Sequence, residues 1–188
     1  MIATLLLLAL LFAALISDLR NRRIPNELVL LGLASALTIS LVPTFDAAIG
    51  KTSGIDLDVL SAFGGLTVAL VGMLPLYALR AMGAGDVKLM MMVGAFLGPM
   101  QTLGVVVLTF VSGGVLAIVM ALWQRSFRQL ATNLRFMLTT SAVRAAGGQA
   151  PRFEPLAQTA GRMPYAVAIA AGTVLQLILV RSGGWALS

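Results

Sequence analysis

Residues 59–79 read VLSAFGGLTVALVGMLPLYAL, a run of twenty-one residues without a charged side chain. About 20 consecutive apolar residues are needed for a helix to cross the hydrocarbon core of a bilayer, so this run predicts a transmembrane helix. The whole chain has the same character, since 59% of its 188 residues are hydrophobic and 11% are charged. A soluble domain carries about a quarter charged residues. Because the apolar runs are continuous rather than alternating, they predict an all-α, polytopic membrane bundle that forms a single domain over 1–188.

Six apolar runs predict six transmembrane helices. With the N-terminus outside, eleven of the thirteen Lys and Arg residues fall on the inner side, and only Lys51 and Arg181 fall outside. That asymmetry is the one described by the positive-inside rule. The first run is expected to be short for a full crossing, and Gly98-Pro99 is expected to begin the exit of the fourth. The predicted runs are 1–16, 28–45, 59–79, 87–103, 104–123 and 163–180.

The inner segment 124–162 is polar, basic and long. Apolar residues recur in its first half at helical spacing, with arginines between them. This pattern is compatible with an amphipathic helix at the inner membrane surface and also with a plain basic loop. The sequence leaves these two alternatives and the role of the segment open.

The composition excludes several kinds of chemistry. The chain contains no cysteine and no histidine, which excludes disulfides, thiolate nucleophiles, cysteine zinc sites and imidazole bases. Its net charge of +6 is explained by basic residues that flank the apolar runs rather than by a nucleic-acid site. We therefore expect no cofactor, no metal and no nucleic-acid partner. The oligomeric state is left open.

Two of the seven acidic residues occupy unusual positions. Asp18 and Asp86 each lie where an apolar run meets the inner interface, and two predicted crossings separate them. Both carboxyl groups should therefore face the same side of the membrane. The other acids are expected to be solvated or to sit at a helix start: Glu27, Asp46, Asp56, Asp58 and Glu154.

A close pair of carboxyl groups has a defined chemistry. Two neighbouring carboxylates do not both ionise easily, so the pair is expected to hold one proton near neutral pH. Such a pair can activate water with one member and protonate a leaving group with the other, which hydrolyses a peptide bond. Simpler alternatives are a helix-end charge paired with Arg22 for Asp18, and the N-cap of the fourth helix for Asp86.

The segment Gly83-Ala84-Gly85-Asp86 does not match a nucleotide-binding loop, because the third glycine of the dinucleotide pattern is replaced by Lys88 and no strand precedes it. We expect the two glycines to let the backbone turn sharply and a substrate strand pass close to Asp86. A plain interhelical turn is the alternative. Lys88 should point away from Asp86. Its side chain could reach lipid phosphate, contact substrate, or make a contact that adjusts the surroundings of the acids.

At this point the sequence resembles the prepilin peptidases, membrane aspartic proteases of the GxGD type. The resemblance lies in DLRNRRIPN at 18–26, in GAGDVKL at 83–89 and in MPYAVAIAAG at 163–172. It implies a bacterial cytoplasmic-membrane enzyme that cuts the leader of a type IV pilin-like precursor at the cytoplasmic face. It also implies that Asp18 and Asp86 are the catalytic dyad, with six further motif residues in support: Arg20, Pro25, Asn26, Gly83, Gly85 and Lys88.

The chain departs from the long members of that family, which carry an additional N-terminal region with paired cysteines. We therefore expect a peptidase-only short form, as in Flp/Tad pilus systems, without methyltransferase activity. The alternative from another functional class is a proton-coupled small membrane carrier, because intramembrane acids also mark proton pathways.

Overall fold

The computed structural model describes residues 2–41, 58–79, 82–123 and 165–183, together with Arg135 and Thr139. The four described ranges form helices and contain no strand, which confirms the all-α prediction. The expected loop at 42–57 and nearly all of the inner segment 124–162 lie outside the described residues. The helices are α1 (Ile2–Asn21), α2 (Asn26–Leu41), α3 (Val59–Ala78), α4 (Ala84–Trp123) and α5 (Tyr165–Arg181).

Three stretches are long and apolar enough to cross a membrane: α1, α3 and Ala84–Met120 within α4. Helices α2 and α5 are apolar but shorter. The expectation that the first run is short for a crossing was wrong, because α1 continues through Asp18 to Asn21 and its 20 residues extend about 30 Å. Six crossings and an outside N-terminus stay predictions.

Helix α4 is two helices joined by a sharp reversal at Gly98. Gly98 has φ 76° and ψ 174°, which interrupts the helical backbone. The hydroxyl of Thr102 lies 3.5 Å from the carbonyl oxygen of Gly94, whereas eight residues of a straight helix would separate these levels by about 12 Å. The chain therefore folds back on itself, and we name the two halves α4a (84–97) and α4b (99–123).

This reversal corrects the predicted boundary between the fourth and fifth runs. The sequence placed it between Leu103 and Gly104, but the break is at Gly98. The expectation that Gly98-Pro99 begins the exit of the fourth run is confirmed, and Pro99 begins the second half. Proline suits the first turn of a helix, where its missing N–H would have no partner. The fourth helix also starts earlier than predicted, at Ala84 rather than Val87.

Glycines set the closest helix contacts of the bundle. A Cβ at Gly65 of α3 would overlap the carbonyl oxygen of Gly94 in α4a. In α5, a Cβ at Gly172 would lie 2.7 Å from the backbone nitrogen of Thr109 in α4b. Small residues at such positions let helices in lipid approach closely, where van der Waals contact is a main source of association.

The buried core and the outer surface are both apolar. Leu7, Met73 and Phe96 are almost fully buried between the helices, while Phe12 and Leu60 are 63% and 79% exposed. Large apolar side chains on the outside of a bundle suit a lipid environment rather than water. This outer surface, together with the length of the apolar helices, identifies a membrane protein.

Candidate active site

Helix ends from distant parts of the chain meet at one end of the bundle. The C-terminal ends of α1 and α3 lie there together with the N-terminal ends of α2, α4a and α5. Three contacts join these ends: Asp18 with Ala166, Ile24 with Gly85, and Asn26 with Lys88. We call this end the acid end.

Asp18 projects from the last turns of α1 into the bundle. Its side chain is only 8% exposed, and its Oδ2 atom accepts a hydrogen bond of 3.4 Å from the backbone N–H of Ala166 in α5. The predicted alternative, an ion pair with Arg22, does not form among the described residues. The contact between them is instead a backbone bond of 2.8 Å from Arg22 N–H to the Asp18 carbonyl.

The short connection from α1 to α2 is fixed by local contacts. Arg22 adopts a positive φ of 51°, and the Ser17 hydroxyl donates to the carbonyl oxygen of Arg23 at 3.0 Å. The chain therefore reverses within four residues between α1 and α2, which keeps Asp18 close to the start of α2.

Asp86 lies in the first turn of α4a, which starts at Ala84. The backbone N–H of Gly83 donates to Asp86 Oδ2 at 3.1 Å, and the N–H of Val87 approaches the carbonyl of Gly83 at 3.5 Å. Gly83 is thus the N-cap, and Asp86 supplies the side chain that reaches back to it, as the third helical residue of a capping box does. The interpretation of Asp86 as the N-cap itself was wrong.

The structure brings Asp18 and Asp86 together at the acid end. Asp18 is held by Ala166 of α5 and Asp86 by Gly83 before α4a, so both carboxyl groups lie at this end although 67 residues separate them in sequence. Asp86 is half-buried and Asp18 is buried, so bulk water screens this pair less than it would an exposed pair.

The expectation of a sharp turn at the two glycines near Asp86 was wrong for Gly85. Neither Gly83 nor Gly85 has a positive φ, and Gly85 lies inside the first helical turn. A Cβ at Gly85 would meet Ile24 at 3.5 Å, an ordinary van der Waals distance. The sharp turn expected from these glycines is therefore absent at Gly85, which instead packs against the α1–α2 connection.

Four other predicted motif residues are exposed at the acid end: Arg20, Pro25, Asn26 and Lys88. Lys88 Nζ donates to Asn26 Oδ1 at 3.1 Å, which ties α4a to the first residue of α2. Pro25 immediately precedes α2, and its carbonyl approaches Val29 N–H at 3.4 Å. Arg20 is exposed in the last turn of α1. Lys88 therefore makes an interhelical contact rather than pairing with Asp86.

Two residues of α5 contribute to the acid end without having been assigned a role from sequence. Ala166 supplies the backbone N–H that holds Asp18, and the phenol of Tyr165 interacts electrostatically with Asp86. Both belong to the last apolar run, but nothing in one sequence shows that its first turn reaches the acids. Tyrosine is the one signal that could have been noticed, because a polar hydroxyl at the start of an apolar helix at this face is a candidate donor.

The described parts of the chain contain no group of three or more Asp, Glu, His or Cys side chains that could hold a metal ion.

A bundle with an apolar exterior and helices long enough to cross a bilayer defines a helical membrane protein, and it carries Asp18 and Asp86 at one end. A family model described as the type IV leader peptidase family matches residues 5–118, more than half of the chain. The protein belongs to the type IV leader peptidase family and is a peptidase, which confirms the resemblance drawn from the motifs. Comparisons with curated proteins and with solved structures found no match.

Proposed function

We propose that this protein is a prepilin leader peptidase, an aspartic endopeptidase that uses Asp18 and Asp86 to hydrolyse the leader of a type IV pilin precursor. The observation that carries the proposal is the position of both carboxyl groups at one end of the bundle, where Asp18 is buried and Asp86 is half-buried. The chain's membership of the type IV leader peptidase family supports a peptide substrate of this kind.

The proposed reaction needs one carboxylate and one carboxylic acid. The carboxylate removes a proton from a water molecule as its oxygen adds to the scissile carbonyl carbon, and a tetrahedral intermediate forms. That intermediate collapses as the C–N bond breaks and the acid delivers its proton to the departing nitrogen. The products are a carboxylic acid and an amine. The pair of aspartates has taken one proton from water and given one to the amine, so its total number of protons is unchanged.

The position of the acids suggests how a precursor would bind. An apolar precursor helix could lie against the lipid-facing helices, with its leader at the acid end. Eleven Lys and Arg residues accompany this end under the predicted topology, so we propose that it faces the cytoplasm at the inner membrane, with the N-terminus outside. We also propose that the precursor is of the Flp type.

The test uses the full chain, reconstituted in lipid, with a Flp-type prepilin as substrate. Asp18→Asn and Asp86→Asn should each reduce cleavage by at least about 10³-fold, because a neutral amide can neither accept the proton of water nor supply one. Asp58→Asn is the matched control. Asp58 is an exposed N-cap of α3 whose side chain accepts from Val59 N–H at 2.8 Å, and Asn caps helices about as well as Asp.

The control should cleave at the wild-type rate, and all variants should unfold cooperatively at similar temperatures. Wild-type-like cleavage by either Asp18→Asn or Asp86→Asn would reject the dyad. Proton-linked solute uptake without any prepilin cleavage would favour the carrier alternative.

A further inference from the structure

We propose that Tyr165 is a third catalytic residue, whose hydroxyl donates a hydrogen bond to the scissile carbonyl oxygen as the tetrahedral intermediate forms. The proposal rests on the peptidase function proposed above and deepens it by assigning a role to the first turn of α5. This turn lies outside residues 5–118, which the family model matches.

The position of Tyr165 is fixed relative to both acids. The next residue, Ala166, donates its backbone N–H to Asp18 Oδ2 at 3.4 Å, so Tyr165 is covalently attached to the group that holds Asp18. Its phenol also interacts electrostatically with Asp86. Two adjacent residues of α5 therefore lie near the two acids, Ala166 at Asp18 and Tyr165 near Asp86.

Packing holds the ring of Tyr165 in place. The ring packs against the buried core and is half-buried itself. It also lies beside α4b, where a Cβ at Gly113 would be 4.0 Å from Tyr165 Cε1. A tyrosine with a packed ring and a polar tip is well suited to present its hydroxyl at a defined point, because only two side-chain torsions determine where that hydroxyl lies.

The hydroxyl of Tyr165 donates to no other group among the described residues, so its proton is available to a bound substrate. Addition of water to a peptide carbonyl moves negative charge onto the carbonyl oxygen, and a preorganised donor aimed at that oxygen lowers the barrier. The acids themselves are occupied by the proton transfers to and from water and nitrogen. Tyr165 would stabilise the negative charge on the scissile carbonyl oxygen and would keep its own proton.

The chain offers an internal control for this proposal. It contains two tyrosines, and the other, Tyr77, is 46% exposed near the C-terminal end of α3. Tyr165→Phe and Tyr77→Phe each remove one phenol oxygen and retain the ring. A difference between them therefore reports the position of the hydroxyl rather than the loss of an aromatic side chain.

The experiment measures kcat and KM for prepilin cleavage by the wild type, Tyr165→Phe, Tyr77→Phe and Asp86→Asn, together with the unfolding temperature of each. We expect Tyr165→Phe to reduce kcat by about 10²-fold with KM changed by less than about threefold, since the donor acts mainly in the transition state. Tyr77→Phe should match the wild type. Both tyrosine variants should unfold at the wild-type temperature.

A second measurement separates transition-state contact from packing. A substrate peptide with –CH(OH)–CH2– in place of the scissile amide presents a hydroxyl where the tetrahedral oxygen would lie. Tyr165→Phe should weaken inhibition by this peptide at least about tenfold, while Tyr77→Phe should leave it unchanged.

Wild-type kcat and wild-type inhibition in Tyr165→Phe would overturn the proposal while leaving the dyad intact. An equal loss in Tyr165→Phe and Tyr77→Phe, or a loss accompanied by a lower unfolding temperature, would also overturn it by assigning the effect to packing. Failure of the wild type to cleave any prepilin would reject the proposed function itself, and the role of Tyr165 with it.

Discussion

At the scale of single residues, the contact between Gly65 and Gly94 limits how closely α3 and α4a can approach. Each glycine lies against the carbonyl of the other, and an added Cβ on either one would overlap that oxygen. The obstacle is backbone rather than a flexible side chain, so no rotamer change could relieve it. This contact also governs the position of Asp86, because α4a carries the acid eight residues before Gly94.

We expect Gly65→Ala to lower the free energy of unfolding by about 1–3 kcal/mol, the typical effect of overpacking a close contact. Gly114→Ala is the matched control, because nothing lies within 4 Å of a Cβ at that helical position. Alanine is favoured over glycine in a helix by about 0.5–1 kcal/mol, so the control should be neutral or stabilising. Reversible unfolding of both variants in mixed micelles measures the difference, and equal stabilities would contradict the close contact.

At the scale of elements, the reversal at Gly98 turns one continuous apolar stretch into two antiparallel helices. Ala84–Met120 satisfies the hydropathy of a single membrane-spanning helix, yet its halves lie side by side. The turn is made by one glycine with a positive φ, followed by the proline that starts α4b. The φ and ψ of Gly98 belong to a backbone region that is essentially restricted to glycine.

Gly98→Ala should therefore destabilise the bundle in two separable ways. The strained backbone should lower the free energy of unfolding by about 1–3 kcal/mol. The added Cβ would also lie 2.5 Å from the Ser61 hydroxyl oxygen, and this clash should lower the free energy of unfolding further. Ser61→Ala removes that oxygen, so Gly98→Ala should be less damaging in the Ser61→Ala background but still destabilising. A double-mutant cycle of unfolding free energies measures the coupling, and full rescue by Ser61→Ala would argue against the strained glycine.

The sequence predicted the elements best where polar residues bound an apolar run. The prediction for α3, 59–79, agrees with Val59–Ala78 because Asp58 caps the start and Arg80 follows the end. Gly98-Pro99 was recognised as the start of an exit, but the boundary of the fourth run was placed at Leu103, because apolar residues continue on both sides of Gly98 and no polar linker marks the turn. Hydropathy alone contains no term for the backbone angle of one glycine.

The site was predictable only as far as local motifs reach. Asp18 and Asp86 stood out because acids are rare in this chain and both border apolar runs. The contacts of Tyr165 and Ala166 could not be derived in this way, because they depend on where α5 packs against α1 and α4b. The N-cap of α4a was likewise assigned to Asp86 instead of Gly83, because one sequence does not fix the residue at which a helix begins.

At the scale of the whole molecule, the alternation of helix directions collects the functional groups at one end. α1 brings Asp18 to the acid end, and each reversal then returns the chain to the other end or back again, until α5 starts beside Asp18. Ser182, immediately after α5, lies at the opposite end from Asp18. The bundle therefore carries Asp18 and Asp86 at one end, and the cap of α3 and the last turn of α5 at the other.

This polarity gives a direct prediction about membrane topology. The natural chain has no cysteine, so single cysteines introduced at Arg23 and at Ser182, both exposed, would be the only thiols to label. If the acid end faces the cytoplasm, a membrane-impermeant maleimide added to intact spheroplasts should label Ser182→Cys but not Arg23→Cys. In inverted inner-membrane vesicles the result should be reversed.

Asp58→Cys is the third position for this experiment, because it precedes α3 at the same end as Ser182 and should share its labelling pattern. Labelling of Arg23→Cys and Ser182→Cys from one side would show that the helices do not carry the chain across the bilayer as their alternation implies. Labelling of Arg23→Cys only in spheroplasts would place the acids at the outer face. The basic residues would then lie on the side that the positive-inside rule disfavours, and the paired acids would meet a precursor only after its leader had crossed the membrane.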